Sequence, residues 1–191
     1  MIALKKTLDH FGLLAPFYES LIHPKEPHKL RSLVPSLSQG VLLDAGGGTG
    51  RVSQFFLEKA ALIVVADESF EMLQEAKKKE GIQPVQTWTE SLPFQNDSFD
   101  CIIMVDALHH VANQPGTTSE LWRVLKPGGC IIIEEPDIRK FWVKLIALAE
   151  KLALMRSHFL SPAKISNLFE GKNAKTHIET EDSLVWVIVE K

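Results

Sequence analysis

The glycines after one apolar run and the carboxylate ending the next are the residues of this chain best placed to do chemistry. In Val41-Leu42-Leu43-Asp44-Ala45-Gly46-Gly47-Gly48-Thr49-Gly50 a buried-strand pattern empties into a glycine-rich turn, and a helical pattern follows from Arg51. Backbone without a Cβ can turn sharply and come close to a ligand, and the start of a helix offers unpaired N–H groups. The segment reads as a cradle for a nucleotide or cofactor, with a ligand-free turn as the alternative. Further on, Ile63-Val64-Val65-Ala66-Asp67 puts a carboxylate at the end of the next strand. In a βαβ unit the two strand ends lie side by side, so Asp67 can accept hydrogen bonds from both ribose hydroxyls of a nucleoside in the cradle. A Walker phosphate loop is excluded, because no Gly-Lys-Ser/Thr follows the glycines. The dinucleotide fingerprint fits imperfectly, since Arg51 stands where its third glycine would fall.

The elements that must hold these residues follow from hydrophobic period. Apolar runs at Val41–Ala45, Ala61–Ala66, Gln83–Trp88, Phe99–Val105 and Cys130–Glu134 predict buried parallel strands joined by crossover helices. Helical rhythm runs through Val52, Phe55, Phe56 and Lys59, and again through Phe70, Leu73, Ala76 and Lys77, with Gly81 placed to end the second helix. Thr117 and Glu120 have capping-box spacing and predict a helix ending before Pro127. Lys77, Lys78 and Lys79 read as a solvated helix end. Leu4 to Pro35 reads as helix, turn and helix. Ser161 and Pro162 start a short helix through Phe169. Thr176–Glu181 and Leu184–Glu190 predict an antiparallel pair around Asp182 and Ser183.

With 191 residues, 45% of them hydrophobic, the chain can bury one core, and 1–191 reads as a single domain. Lys and Arg number 21 against 24 Asp and Glu, a charge of -3 without a basic stripe, so duplex nucleic acid is a poor partner. No run approaches the roughly 18 apolar residues of a membrane span, and no signal-peptide pattern opens the chain, so stable membrane insertion is not expected and the protein reads as cytoplasmic. Cys101 and Cys130 lie inside strands with no local CxxC, which predicts two core thiols and no cysteine metal site.

The run Leu43-Asp44-Ala45-Gly46-Gly47-Gly48-Thr49-Gly50, then Asp67 with Met72-Leu73, then Leu92-Pro93-Phe94-Gln95-Asn96-Asp97-Ser98-Phe99-Asp100, then Leu125-Lys126-Pro127-Gly128-Gly129, resembles the successive motifs of class I S-adenosylmethionine-dependent methyltransferases. Within the type 11 group it is most similar to the ubiquinone/menaquinone biosynthesis methyltransferases. The match runs from about Ala15 to Glu135 and is specific for the superfamily, not the substrate. The resemblance implies an α/β, Rossmann-like seven-stranded mixed sheet of order 3-2-1-4-5-7-6 with strand 7 antiparallel and helices on both faces. It also implies S-adenosyl-L-methionine as cofactor and methyltransferase activity. Gly46 and Gly48 would contact the methionine portion, Asp44 its sulfonium or ammonium end, and Asp67 the ribose, with Glu68 and Met72 beside it. Asp106 to His110 would border both cofactor and acceptor. Near the adenine amine, where relatives carry an acidic residue, this chain has Trp88, followed by Thr89 and Glu90; Trp88 could stack on adenine or close the core, and Glu90 could supply the acceptor from a shifted position.

Methyl transfer from a sulfonium is an in-line displacement, and a base is needed only where the nucleophile arrives protonated. Asp106 and His109 are the catalytic candidates, with His110 beside them, although adjacent positions leave a loop in different directions. Tyr18, the sole tyrosine, lies in a segment resembling an aromatic lid and could orient the sulfonium. Residues 1–35 are expected to form this helical lid and 141–170 a helical insertion on the acceptor side. Phe141 to Leu160 is apolar almost all round, which suits a roof over an apolar acceptor, homodimer packing or contact with a membrane surface. The chain lacks the Asn-Pro-Pro-Tyr tetrad of base-nitrogen methylation, an exposed cysteine after strand 4 for cytosine, and the thiol set for arsenic. A small organic acceptor is favoured. The alternatives are a non-catalytic S-adenosylmethionine-binding or assembly protein and an NAD-dependent oxidoreductase.

Overall fold

The computed structural model describes residues 27–152 and 157–191. Seven strands form one sheet in the order β3-β2-β1-β4-β5-β7-β6. They are β1 (Leu37–Ala45), β2 (Ala60–Asp67), β3 (Ile82–Gln86), β4 (Phe99–Val105), β5 (Leu125–Pro136), β6 (Lys175–Glu181) and β7 (Leu184–Glu190). The first five pair in parallel, whereas β7 runs antiparallel to both β5 and β6. This is the expected Rossmann-like sheet. The two-residue turn at Asp182 and Ser183 forces the final reversal, with Asp182 taking the positive φ that a tight hairpin demands.

Alternation along each strand divides the core into two layers. Leu43, Ile102, Met104, Ile131 and Ile133 face Leu121 and Val124 of one helix and Phe169. Leu42, Cys101, Ile103 and Ile132 face the other way, onto Leu30, Val34, Phe56 and Trp186. The described helices are α1 (His28–Leu33), α2 (Phe70–Ala76), α3 (Gln114–Val124), α4 (Phe141–Leu152) and α5 (Pro162–Asn167). Strand order reverses between β1 and β4, so the loops leaving their carboxyl ends diverge and leave a crevice.

Several local expectations differ from what is observed. The rhythm from Val52 to Lys59 yields only a single 3-10 turn, Ser53–Phe56. The chain must bury Phe56 and return within a few residues to Ala60 in β2, and the tighter winding does so. α2 stops at Ala76, short of Gly81, whose positive φ serves the turn into β3 instead. α3 starts at Gln114, capped by the Asn113 side chain, whose Oδ1 accepts the Gly116 N–H, with Pro115 in the first turn. Thr117 and Glu120 therefore form no capping box. Both leave the helix to hold the loop after β3: the Thr117 and Thr89 hydroxyls are 3.0 Å apart, and Glu120 accepts the Leu92 N–H at 2.9 Å. In α4 Val143 is buried, while Phe141 and Trp142 are 68% and 71% exposed. Ser157 to Ser161 is not helical.

Cys101 and Cys130 face each other across β4 and β5 with sulfurs 3.4 Å apart, beyond the roughly 2.05 Å of a bond. Alkylation of unfolded, unreduced protein should label two thiols by intact mass. A species two protons lighter, with neither thiol labelled, would overturn this.

Candidate functional site

A cavity of about 510 Å³ opens at the carboxyl ends of β1, β2 and β4. Its floor is the glycine turn. Asp44 is buried where β1 ends; its Oδ2 accepts the Ser53 hydroxyl at 2.5 Å, while Oδ1 has no hydrogen-bond partner. Burial pushes this carboxyl up to about 6; the Ser53 bond opposes the rise and the neighbouring charge of Asp67 adds to it. In the same turn the buried Thr49 hydroxyl also lacks a partner. Two orphaned oxygens in one cavity-lining turn are unusual, because buried polar atoms are nearly always paired. Gly47 keeps this arrangement possible, since a Cβ there would stand 2.5 Å from the Asp44 carboxyl carbon. Gly46, at φ +73, lets β1's turn pass the loop after β4, for its Cβ would lie 2.8 Å from that of Ala107.

Asp67 closes β2 and lines the cavity, but it also braces the turn. Its Oδ2 accepts the Gly48 N–H at 2.8 Å and its Oδ1 the Ser69 N–H at 2.9 Å. Lys79 adds a second brace, donating to the Thr49 carbonyl at 2.9 Å, so the lysine run is not wholly a solvated helix end. Glu68 and Met72 line the wall above Asp67. On the far side Trp88 lines the cavity at 57% exposed, which removes the reading in which it closes the core. Thr89 is buried against Thr117, and Glu90 Oε1 accepts the Asn113 N–H at 3.3 Å, tying this loop to the start of α3.

The loop after β4 supplies the remaining wall. Asp106 sits at the mouth in a left-handed conformation, φ +53, its side chain 54% exposed and its N–H bonded to the Glu134 carbonyl at 2.9 Å. Non-glycine residues held there cost free energy and cluster at functional sites. His110 lines the cavity; His109 does not. His109 is buried behind the wall with Nδ1 2.5 Å from Glu135 Oε2, its ring stacked on Phe159 at 4.1 Å. Of the three catalytic candidates, then, Asp106 borders the cavity, His109 stands behind it, and Tyr18 lies outside the described residues. Sequence reasoning assigned Glu135 no role, Gly47 one only as a member of the glycine turn, and Lys79 one only as a solvated helix end. A carboxylate closing an apolar strand, as Glu135 does, was the available signal. Among the described residues no group of three or more His, Cys, Asp or Glu side chains is arranged to hold a metal ion.

The raised Asp44 carboxyl has a consequence for stability. Unfolded, this group ionises near 4; folded, at about 6. Between these values the folded state binds more protons, so its stability falls as pH rises, and the cost of the buried charge is complete above about 6. Asp44→Asn should remove that slope. Its urea-unfolding free energy relative to wild type should improve by roughly 2 to 3 kcal/mol between pH 4 and pH 7; a constant difference would show that the carboxylate is charged without cost.

Residues 43–133, which hold the turn, Asp67, the β3 loop and Asp106, match the family model described as a methyltransferase domain. Over 104 residues the chain is 33% identical to the ubiquinone/menaquinone biosynthesis C-methyltransferase UbiE of Methylococcus capsulatus, covering 49% of this chain and 42% of that protein. The chain thus spans about two fifths of that relative's length. It is 26% identical over 179 residues to the malonyl-acyl-carrier-protein O-methyltransferase of Enterobacter lignolyticus, covering 89% of this chain and 69% of that one. Among solved structures it resembles a chain of the Haloferax volcanii complex between the Trm112 methyltransferase activator and a methyltransferase, with TM-score 0.83, 16% identity and coverage of 96% and 98%. An S-adenosylmethionine-dependent methyltransferase of Thermotoga maritima gives TM-score 0.79 and 22% identity, with coverage of 95% and 98%. With its sheet order β3-β2-β1-β4-β5-β7-β6 and these structural likenesses, the chain has the fold of the class I S-adenosylmethionine-dependent methyltransferases.

Proposed function

We propose that this protein binds S-adenosylmethionine in the cavity over the glycine turn and transfers its methyl group to a small organic acceptor. The observation that carries the reading is the unpartnered, buried Asp44 Oδ1 beside Cβ-free backbone, a place made for a polar ligand with positive charge. When bound, the cofactor supplies an electrophilic methyl carbon on a sulfonium. The chain's own work is to bind, orient and exclude water. Asp44 complements positive charge, Asp67 offers carboxylate lone pairs to ribose hydroxyls while fixing Gly48, and Trp88 offers its face to a base. Glu90 and Thr89 hold the loop that carries Trp88. Asp106 and His110 stand where an acceptor would meet the methyl group.

In this reading the acceptor side falls to residues 141–170 and to the expected lid at 1–35, of which 1–26 and 153–156 lie outside the described residues. Phe141, Trp142, Leu145, Ile146 and Leu148 put apolar surface on the exterior of α4, which suits an apolar portion of the acceptor. No described helix is long and apolar enough to cross a membrane.

Calorimetric titration should show saturable binding of S-adenosylmethionine and S-adenosylhomocysteine, and folded protein that binds neither at millimolar concentration would end this reading. Asp67→Ala should weaken binding by roughly 1.5 to 3 kcal/mol, the scale of bonds to a charged group. Binding without transfer of labelled methyl to any acceptor would favour an assembly role. Trp142→Ala should keep cofactor affinity and lose methyl transfer. A change only from dimer to monomer in light scattering would assign α4 to a subunit interface instead.

A further inference from the structure

Behind the cavity wall three side chains form a line that the cofactor reading does not use. Glu135, near the end of β5, is buried; its Oε1 accepts the Leu108 N–H at 2.7 Å and its Oε2 lies 2.5 Å from His109 Nδ1. The other imidazole nitrogen, Nε2, is 3.9 Å from Asp106 Oδ1, and Asp106 reaches the cavity mouth. The ring has little freedom to turn, packed between Phe159 at 4.1 Å and His110 at 4.0 Å. Its backbone is fastened too: the His158 N–H donates to the His109 carbonyl at 2.6 Å, and the Gln114 amide donates to the carbonyls of both Leu108 and His158.

A neutral imidazole donates from one nitrogen and accepts at the other. An ionised carboxylate against Nδ1 keeps the hydrogen there and leaves the Nε2 lone pair facing Asp106. Protonation of Nε2 then produces an imidazolium beside a buried carboxylate, which stabilises it, as in other carboxylate–histidine pairs. Among the described residues, the charged and titratable groups nearest the ring are Glu135 from β5 and Asp106 and His110 from its own loop, with His158 in the segment following α4. Glu134 stands close enough to Asp106 to feel it: burial first, and then the Asp106 charge, raise the Glu134 carboxyl.

Resting on the methyl-transfer reading, we propose that Glu135 is a positioning residue that fixes His109 as the Nδ1–H tautomer, so that Asp106 and His109 Nε2 together take up the proton of a protic acceptor, a phenolic hydroxyl or an acidic C–H. In this step the acceptor's O–H or C–H bond breaks and its electron pair forms the new bond to the methyl carbon. The carbon–sulfur bond breaks with its pair going to sulfur. The proton passes to Asp106 and on to His109 Nε2, and returns to solvent when products leave.

Glu135→Gln tests the assignment with little change of shape. The amide oxygen can still accept the Leu108 N–H, while the amide N–H₂ turns toward Nδ1 and should invert the tautomer. Nitrogen-15 spectra of histidine-labelled protein should show Nδ1–H in wild type and Nε2–H in the variant, with S-adenosylmethionine affinity within about twofold. Labelled methyl transfer is then followed with two probes, catechol, which must lose a proton, and pyridine, which need not. Catechol methylation should fall about 100-fold or more, the scale of general-base catalysis, and lose its acid limb in the pH–rate profile, while pyridine methylation holds. Asp106→Asn, which leaves the Glu135–His109 pair intact, should also lower catechol methylation while the Nδ1–H signature of wild type persists. An Nε2–H tautomer in wild type, an unchanged catechol profile, equal losses on both probes, or cofactor-bound wild type that leaves catechol unmethylated would each overturn the proposal. Failure to bind S-adenosylmethionine would instead strike the methyl-transfer reading, and the tautomer spectra would still judge Glu135.

Discussion

Backbone N–H groups at the carboxyl edge of a parallel sheet have no strand to pair with, and the cavity of this protein depends on how they are satisfied. Carboxylates do it. Asp67 takes the N–H groups of Gly48 and Ser69, Glu90 that of Asn113, Glu120 that of Leu92, and Glu135 that of Leu108. Apart from the local Asp67–Ser69 bond, these bonds join segments distant in sequence, so the rim is cross-tied by charge-assisted hydrogen bonds in addition to the apolar packing of Leu92 and Leu108. The core below needs only its alternating strands, but the shape above it rests on these acids. The same residue can thus hold the frame and face a ligand, as Asp67 does.

What the sequence made legible and what it hid divide along the same line. The central strands could be read because β1, β2, β4 and β5 each carry a short apolar run, and the glycine turn because no other residue type tolerates the approach to Asp44 and Ala107. Asp67 could be placed because parallel neighbours end side by side. By contrast, His109 and Glu135, 26 positions apart, carry no local signal of their contact. Their meeting depends on the register of β4 against β5 and on the left-handed turn at Asp106. Thr117 and Glu120 misled for the opposite reason. Their spacing is that of a local cap, yet both side chains are recruited by a distant loop. Helix starts are set by such competition, which a single window of sequence does not contain.

The cavity and α4 differ in how they are built. At Asp67 the cavity wall is polar and closely tied, whereas α4 carries apolar side chains outward, Phe141 and Trp142 among them. The loop after β4 is sewn to the segment following α4 through His158 and Gln114. A displacement of that segment would act directly on the backbone of His109.

The cross-tied rim has a consequence for the thermodynamics of association. Loops that are already ordered lose little conformational entropy when a ligand enters, so the unfavourable part of binding is reduced mainly to lost translation and rotation of the ligand and to desolvation. The heat-capacity change of binding should then track the apolar area that the ligand covers, without the larger contribution of a coupled folding event. Asp67 and Glu90 would serve recognition before any ligand arrives, by preorganisation.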